Sequence, residues 1–243
     1  MYKKLSFIFD KVSSPSKFGS GISSIWRGLS LNLLIRILFQ ALTKKNKSIN
    51  EESNEILFSS ARSAIAAVLN TFQIGHNDEV IVCSFTCDAV THAILSTKAK
   101  PVYVDINNDL SMNEFSVKRA INPNTKAILV QNTFGRLGLS EDFIKSCKDK
   151  NILMFEDNCL SVGSRLNDKS LGQICPISVW SLEASKSITI GWGGVLHIND
   201  IELLDKFQKY IETVGKISLF SDLHRVFQLF VSLLLYKFYT PFN

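Results

Sequence analysis

A mostly parallel α/β sheet covered by helices on both faces is the fold class this sequence predicts. Three observations predict it. Between residues 55 and 210, short β-branched runs alternate with helical segments of about ten residues, the pattern of successive βα units. Two of those runs end in acidic residues, Asp105 and the pair Glu156-Asp157, at the edge where sheets of this class hold ligands. The chain of 243 residues is long enough for one main core with appendages, and 46% hydrophobic against 20% charged residues excludes a disordered chain.

The elements follow in order. Residues 13–24, rich in Ser, Gly and Lys, read as a loop or mobile arm. Residues 29–42 are apolar but broken by Asn32, Arg36 and Gln40 at four-residue spacing, which predicts an amphipathic helix, and residues 43–54 read as a polar linker. Residues 61–72 place Ile65, Val68, Leu69 and Phe72 at helical spacing. Strands are predicted at 79–82, 100–105, 126–130, 151–157, 177–182 and 194–198, with further helices at 88–96, 115–120, 140–150 and 201–212. The division is an N-terminal arm and helix over 1–54, a main domain over 55–210, and an apolar helical segment over 211–243.

A net charge of +5, much of it in Lys3, Lys4, Lys44, Lys45 and Lys47, is a solvated flank rather than a nucleic-acid stripe. Five cysteines without a regular framework predict reduced thiols in a cytoplasmic protein, and Cys83 and Cys87 lack the second pair a metal site needs. The apolar piece Leu5 to Phe9 is too short for a signal peptide. Residues 226–236 fall well short of the roughly 20 a membrane span requires. Peripheral membrane contact through the two apolar helices is a reading that rests on them alone.

Three strand-end places carry polar residues that converge. Glu156-Asp157 closes an apolar strand. Such a residue is often a helix N-cap, and it is also where a carboxylate can face the ring nitrogen of pyridoxal phosphate (PLP) and keep it protonated. Lys186 follows the strand at 177–182. Lysines are mostly solvated surface residues, yet PLP chemistry needs one as a Schiff-base partner and proton carrier. Ser181 and Ser185 lie within reach of a phosphate held near that lysine. The run Ser59-Ser60-Ala61-Arg62-Ser63 leads into a helix. By itself it is a serine N-cap, and it is also a phosphate site in which Arg62 adds charge. The glycines around Trp192 permit a tight turn, and the four histidines have no catalytic or metal-like partner.

Taken in order, these pieces resemble the DegT/DnrJ/EryC1/StrS sugar aminotransferases. The resemblance is carried by residues 77–86 (NDEVIVCSFT), 99–106 (AKPVYVDI), 122–129 (NPNTKAIL), Phe134-Gly135, Glu156-Asp157 with Gly163, and Ser181 five positions before Lys186. It implies the large domain of the PLP-transferase fold type I, with the small C-terminal domain largely missing from this chain. It implies that Lys186 binds PLP, that Asp157 pairs with the ring nitrogen, and that Ser181 and Ser63 hold the phosphate. The implied activity is transfer of an amino group, from an amino acid such as glutamate, to a nucleotide-linked keto sugar for amino-sugar or polysaccharide synthesis. A homodimer or a missing C-terminal partner is implied with it. Relatives that dehydrate sugars have histidine at the lysine position, so Lys186 favours transamination. The chain departs from the pattern at Cys87, where relatives place an aromatic ring over PLP, and at Leu160, where they place Gln or His. Arg62 and Trp192 are further departures. The alternative reading is a truncated, non-catalytic homologue acting as a partner subunit or an inactive remnant.

Overall fold

The computed structural model describes residues 49–50, 54–148, 150–166, 169–183, 185–189 and 192–214, together with residues 227 and 231. The expected arm, linker and amphipathic helix before residue 49 and the apolar segment after residue 214 lie outside the described residues, those isolated positions apart. Contact clustering separates residues 48–214 as one unit, and all of the architecture below belongs to it.

Ten strands are present: β1 (Ile49–Asn50), β2 (Glu55–Phe58), β3 (Glu79–Cys83), β4 (Lys100–Val104), β5 (Thr125–Gln131), β6 (Leu153–Asp157), β7 (Arg165–Leu166), β8 (Lys169–Ser170), β9 (Ile177–Ser181) and β10 (Gly194–Ile198). Among the described residues these are accompanied by five helices: α1 (Ala61–Thr71), α2 (Asp88–Ser96), α3 (Glu114–Ala120), α4 (Glu141–Lys148) and α5 (Leu204–Thr213). Eight strands form one sheet in the order β1-β2-β10-β9-β6-β5-β3-β4, and β7 and β8 form a separate hairpin. The pairs from β9 through β6, β5 and β3 to β4 are parallel. The pairs β9–β10, β10–β2 and β2–β1 are antiparallel.

The strand period of two sorts side chains onto two cores. On one face Val80, Val82, Ala127, Leu129, Phe155, Val179 and Leu196 pack with Ile65, Val68 and Leu69 of α1, Ala93 and Ile94 of α2, and Phe207 of α5. On the other face Ile81, Cys83, Ile128, Val130 and Met154 pack with Val117 of α3 and Phe143, Ile144 and Cys147 of α4. The central strands are therefore apolar on both sides, as a parallel sheet between two helical layers requires. Each fully buried aliphatic side chain contributes about 1.5–3 kcal/mol to this packing.

The helices begin where local chemistry dictates. Ser60 caps α1 by accepting from the Ser63 amide at 3.1 Å, and Asn113 caps α3 by accepting from the Ser116 amide at 2.9 Å. Within residues 54–214 the six expected strands and the five expected helices are present. The expected helix at 201–212 is a 3-10 turn at Ile201–Leu203 followed by α5, with Asp200 accepting from the Glu202 amide at 3.2 Å. Three features go beyond the expectation: β2, the short β1 beside it, and the β7–β8 hairpin.

Candidate active site

The parallel strands β3, β5, β6 and β9 all end at one edge of the sheet, and the polar residues singled out in the sequence gather there. Asp157 is the last residue of β6, 7% exposed. It alternates with Phe155 and so lies on the face covered by α1 and α2. Its Oδ1 accepts from the Cys159 amide at 2.9 Å. Among the described residues no lysine, arginine or histidine forms an ion pair with it. A carboxylate held this deeply without a cation is costly unless a positively charged group completes the site.

Register brings the two phosphate candidates together. Gly194, the first residue of β10, pairs with Ser181 on one side and Phe58 on the other. Ser181 and the chain leading into Ser59 and Ser60 therefore each lie about 5 Å, one strand spacing, from the same residue. A Cβ at Gly194 would collide with the backbone of Ser60 and Ala61, so only glycine lets β10 approach the start of α1 this closely. At that helix start the Ser63 hydroxyl lies 3.0 Å from Ser60 Oγ and 3.2 Å from Ser59 Oγ. Three hydroxyls and the first amides of an eleven-residue helix thus share one place, which suits an anion. Ser181 is buried, and its Oγ accepts from the Glu183 amide at 3.3 Å. Ser185 is exposed and donates to the Glu183 carboxylate.

Lys186 lies half-buried in the loop that joins β9 to β10. That loop is closed by the Leu182 amide donating to the Gly193 carbonyl at 2.9 Å and by Thr189 Oγ1 donating to the Leu182 carbonyl at 2.9 Å. A turn from the Lys186 amide to the Glu183 carbonyl at 3.0 Å sets the backbone of the lysine itself. The thiol of Cys159 reports what surrounds it. Burial, with the Asp157 carboxylate beside it, pushes this thiol well above its usual range, and the Lys186 ammonium pulls the other way. The Cys87 thiol is close enough to act on it too. Asp157, Lys186 and Cys87 therefore all lie within electrostatic reach of the Cys159 thiol.

The departures occupy the rim. Cys87 is exposed at the start of α2, its Sγ 3.4 Å from Asp88 Oδ1, and it has no ring to lay over a ligand. Leu160 is exposed two residues beyond the buried Asn158. Arg62 is exposed on the first turn of α1 and makes no ion pair among the described residues. Asp157, Lys186 and Cys87 are thus linked through their effect on Cys159, Ser181 and the chain leading into α1 flank Gly194, and Arg62 and Leu160 stand at the surface. Thr86, beside Cys87, has a buried hydroxyl oxygen without a partner among the described residues.

Sequence reasoning did not single out Gln131, the last residue of β5, or Asn132 and Thr133 after it, all of them buried. Gln131 Nε2 donates to the Phe85 carbonyl at 2.8 Å and to Thr133 Oγ1 at 2.9 Å, tying the end of β5 to the loop after β3. Asn132 and Glu156 form a second buried network, with Asn132 Nδ2 2.7 Å from Glu156 Oε2. Three polar residues directly after an apolar strand were the available signal.

The arrangement combines a buried carboxylate without an ion pair among the described residues, a lysine in the loop after the neighbouring strand β9, a buried hydroxyl without a partner among those residues and a helix start rich in hydroxyls, and it fits a planar, cationic, phosphate-bearing cofactor. Comparison with known proteins agrees. The model of the DegT/DnrJ/EryC1/StrS aminotransferase family matches residues 40–218. The dTDP-4-dehydro-2,3,6-trideoxy-D-glucose 4-aminotransferase of Saccharopolyspora spinosa is 28% identical over 155 residues, covering 63% of this chain and 40% of that protein. GDP-perosamine synthase of Escherichia coli O157:H7 is 31% identical over 160 residues, covering 64% and 44%. Among solved structures, Helicobacter pylori PseC, an aminotransferase of pseudoaminic acid biosynthesis, superposes with a TM-score of 0.62 at 25% identity, covering 76% of this chain and 54% of that one. 3-Amino-5-hydroxybenzoic acid synthase, at 24% identity and a TM-score of 0.65, shares the fold, covering 74% and 50%. The chain spans about 40% of the length of the curated relatives it matches.

Proposed function

The chain belongs to the DegT/DnrJ/EryC1/StrS aminotransferase family, and from that premise we propose that it holds PLP through Lys186 and transfers an amino group from an amino acid such as glutamate to a nucleotide-linked keto sugar. The product would serve amino-sugar or polysaccharide synthesis. The observation that carries the reading is the buried Asp157 carboxylate at the end of β6, which forms no ion pair among the described residues.

When bound, PLP supplies a carbonyl that takes up amino groups and a ring that withdraws electrons from the carbon beside them. The chain's own residues do the rest. Lys186 provides the amine that fixes the cofactor, and its Nζ carries a proton to and from the reacting carbon. Asp157 presents negative charge to the ring nitrogen. Ser63, with Ser181 across Gly194, offers hydroxyls to the phosphate at the start of α1, where the helix dipole favours an anion. Cys87 borders the ring's place with a thiol instead of an aromatic face. The expected partners are a second copy of this chain or a separate chain that supplies the remainder of the site, and the expected location is the cytoplasm. Among the described residues no helix is long and apolar enough to cross a membrane. Several relatives carry the names of nucleotide-sugar aminotransferases, which favours catalysis over the non-catalytic alternative.

Borohydride reduction of the purified chain with PLP, followed by peptide mapping, tests the reading. The expected result is a pyridoxyl group on Lys186 that is lost in Lys186→Ala. A folded chain that takes no label, or takes it elsewhere, overturns the assignment of Lys186. Amino transfer is then measured on dTDP-, GDP- and UDP-linked 4-keto sugars, with glutamate as donor.

A further inference from the structure

Asn132 uses its backbone amide and both polar atoms of its side chain, and three of these four bonds go to consecutive residues of one segment. It follows β5 and is fully buried. Its backbone amide donates to the Asp157 carbonyl at 3.0 Å. Its Nδ2 donates to Glu156 Oε2 at 2.7 Å and to Asn158 Oδ1 at 2.8 Å. Its Oδ1 accepts from the Gly138 amide at 2.8 Å, and a Cβ at Gly138 would meet the Gln131 carbonyl at 2.5 Å. The two side chains it grips flank Asp157 and point to the opposite face of the sheet from the Asp157 carboxylate. They are themselves fixed. Glu156 accepts from the Gly172 amide at 2.7 Å and from the Ile174 and Cys175 amides at 2.8 Å each. Asn158 Oδ1 also accepts from Ser161 Oγ at 2.8 Å, and the Asn158 amide donates to the Val179 carbonyl at 2.9 Å.

We propose that Asn132 is a positioning residue for Asp157: by clamping residues 156, 157 and 158 from behind, it sets the depth and tilt at which the Asp157 carboxylate meets the cofactor's ring nitrogen. The inference rests on the reading of Asp157 given above. Register supplies the physical reason. The last β5–β6 pair joins Gln131 to Asp157, so beyond it the ladder stops and nothing else in β5 restrains the segment after Asp157. Asn132 continues the pairing with side-chain atoms where the backbone pairing ends. An apolar residue there would leave the carboxylate free to swing with the loop that follows, and misplacement on the order of 1 Å is enough to weaken such an alignment.

The test reads the carboxylate rather than the reaction. In the PLP-loaded chain, a carboxylate close to the ring nitrogen keeps that nitrogen protonated, which lowers the pH at which the bond between lysine and cofactor loses its proton and its visible band changes. Asp157→Asn is the reference and raises that pH midpoint. Asn132→Ala and Asn158→Ala, which cut both side-chain arms and one arm of the clamp, are expected to raise it in the same direction by about one unit, with Lys186 still labelled by borohydride. A wild-type midpoint in either variant, folded by far-ultraviolet dichroism and melting, overturns the proposal. If Asn132→Ala does not fold, Asn158→Ala decides, because it leaves the Glu156 and Gly138 bonds intact. If neither folds, the network holds the sheet rather than the carboxylate, and the proposal falls. An unchanged midpoint in Asp157→Asn instead removes the reading of Asp157, whatever the other variants do.

Discussion

At the scale of single residues, Cys159 and Cys87 make the site measurable without substrate. A thiol reacts as its thiolate, so a raised pKa slows it. Burial and the Asp157 carboxylate raise that of Cys159, and burial with the Glu156 carboxylate raises that of Cys175. Cys87 is exposed. At pH 8, iodoacetamide followed by peptide mass mapping should therefore modify Cys87 at least about tenfold faster than Cys159 or Cys175. Asp157→Asn removes a charge that opposes the Cys159 thiolate, so it should speed that thiol alone. Equal rates at Cys87 and Cys159 in the wild type would argue against the closed geometry around Asp157. The sequence singled out Asp157, Lys186, Ser181 and Ser63 because each stands at or soon after the end of an apolar strand or in the first turn of a helix, where polar residues stand out. It did not reveal Asn132 or Cys159. Their roles depend on which strand lies beside which, and β5 and β6 are neighbours across more than twenty residues of chain.

At the scale of elements, Glu79 shows how the strands are held at the edge opposite the site. From the first residue of β3, its Oε1 accepts from Lys100 Nζ at 2.9 Å, at the start of β4, and its Oε2 accepts from Asn122 Nδ2 at 2.7 Å, just before β5. The Asn122 and Lys100 hydrogen bonds hold the Glu79 carboxyl below its usual range. A carboxyl depressed in the folded state binds fewer protons there than when unfolded. Its contribution is present above the unfolded value of roughly 4.3 and is lost as pH falls through the folded value. Lys100 is largely exposed, so solvent screening limits the effect, and Glu79→Gln should cost about 0.5–1 kcal/mol at pH 7. Urea unfolding at pH 7 and again at pH 3 checks this: the gap between wild type and variant should shrink at the lower pH. An equal gap at both would mean the loss is steric. The same strands were the most legible part of the fold, since β3 to β6 are continuous apolar runs with turn residues between them. β2 escaped because it is four residues long with an uneven burial pattern and takes its place only by pairing with β10, well over a hundred residues away. The two-residue strands β7 and β8 carry no periodicity to read.

At the scale of the whole molecule, the edge that holds the site is also the edge with uncovered apolar side chains. Phe85 follows β3, Phe134 follows β5, Leu160 follows β6 and Trp192 precedes β10, and all four are exposed at the end of the sheet where Asp157 lies. Topology alone puts them on one rim, because each comes from a loop at the same end of the strands. Monomeric proteins rarely leave contiguous apolar surface beside a ligand site, and such patches commonly mark contact with another chain. The chain also spans about 40% of the length of its curated relatives. Two coupled results are expected. Sedimentation over a range of concentrations should show reversible association of the chain, and Phe85→Ser with Trp192→Ser should shift it toward monomer. The same double variant should bind PLP about tenfold more weakly, because water gains access to a carboxylate and a lysine whose interaction strengthens as water is excluded. Association lost while PLP affinity stays unchanged would separate the two, and would show that the rim serves assembly without sheltering the site. Affinity lost in a chain that is monomeric throughout would mean that these side chains cover the cofactor directly.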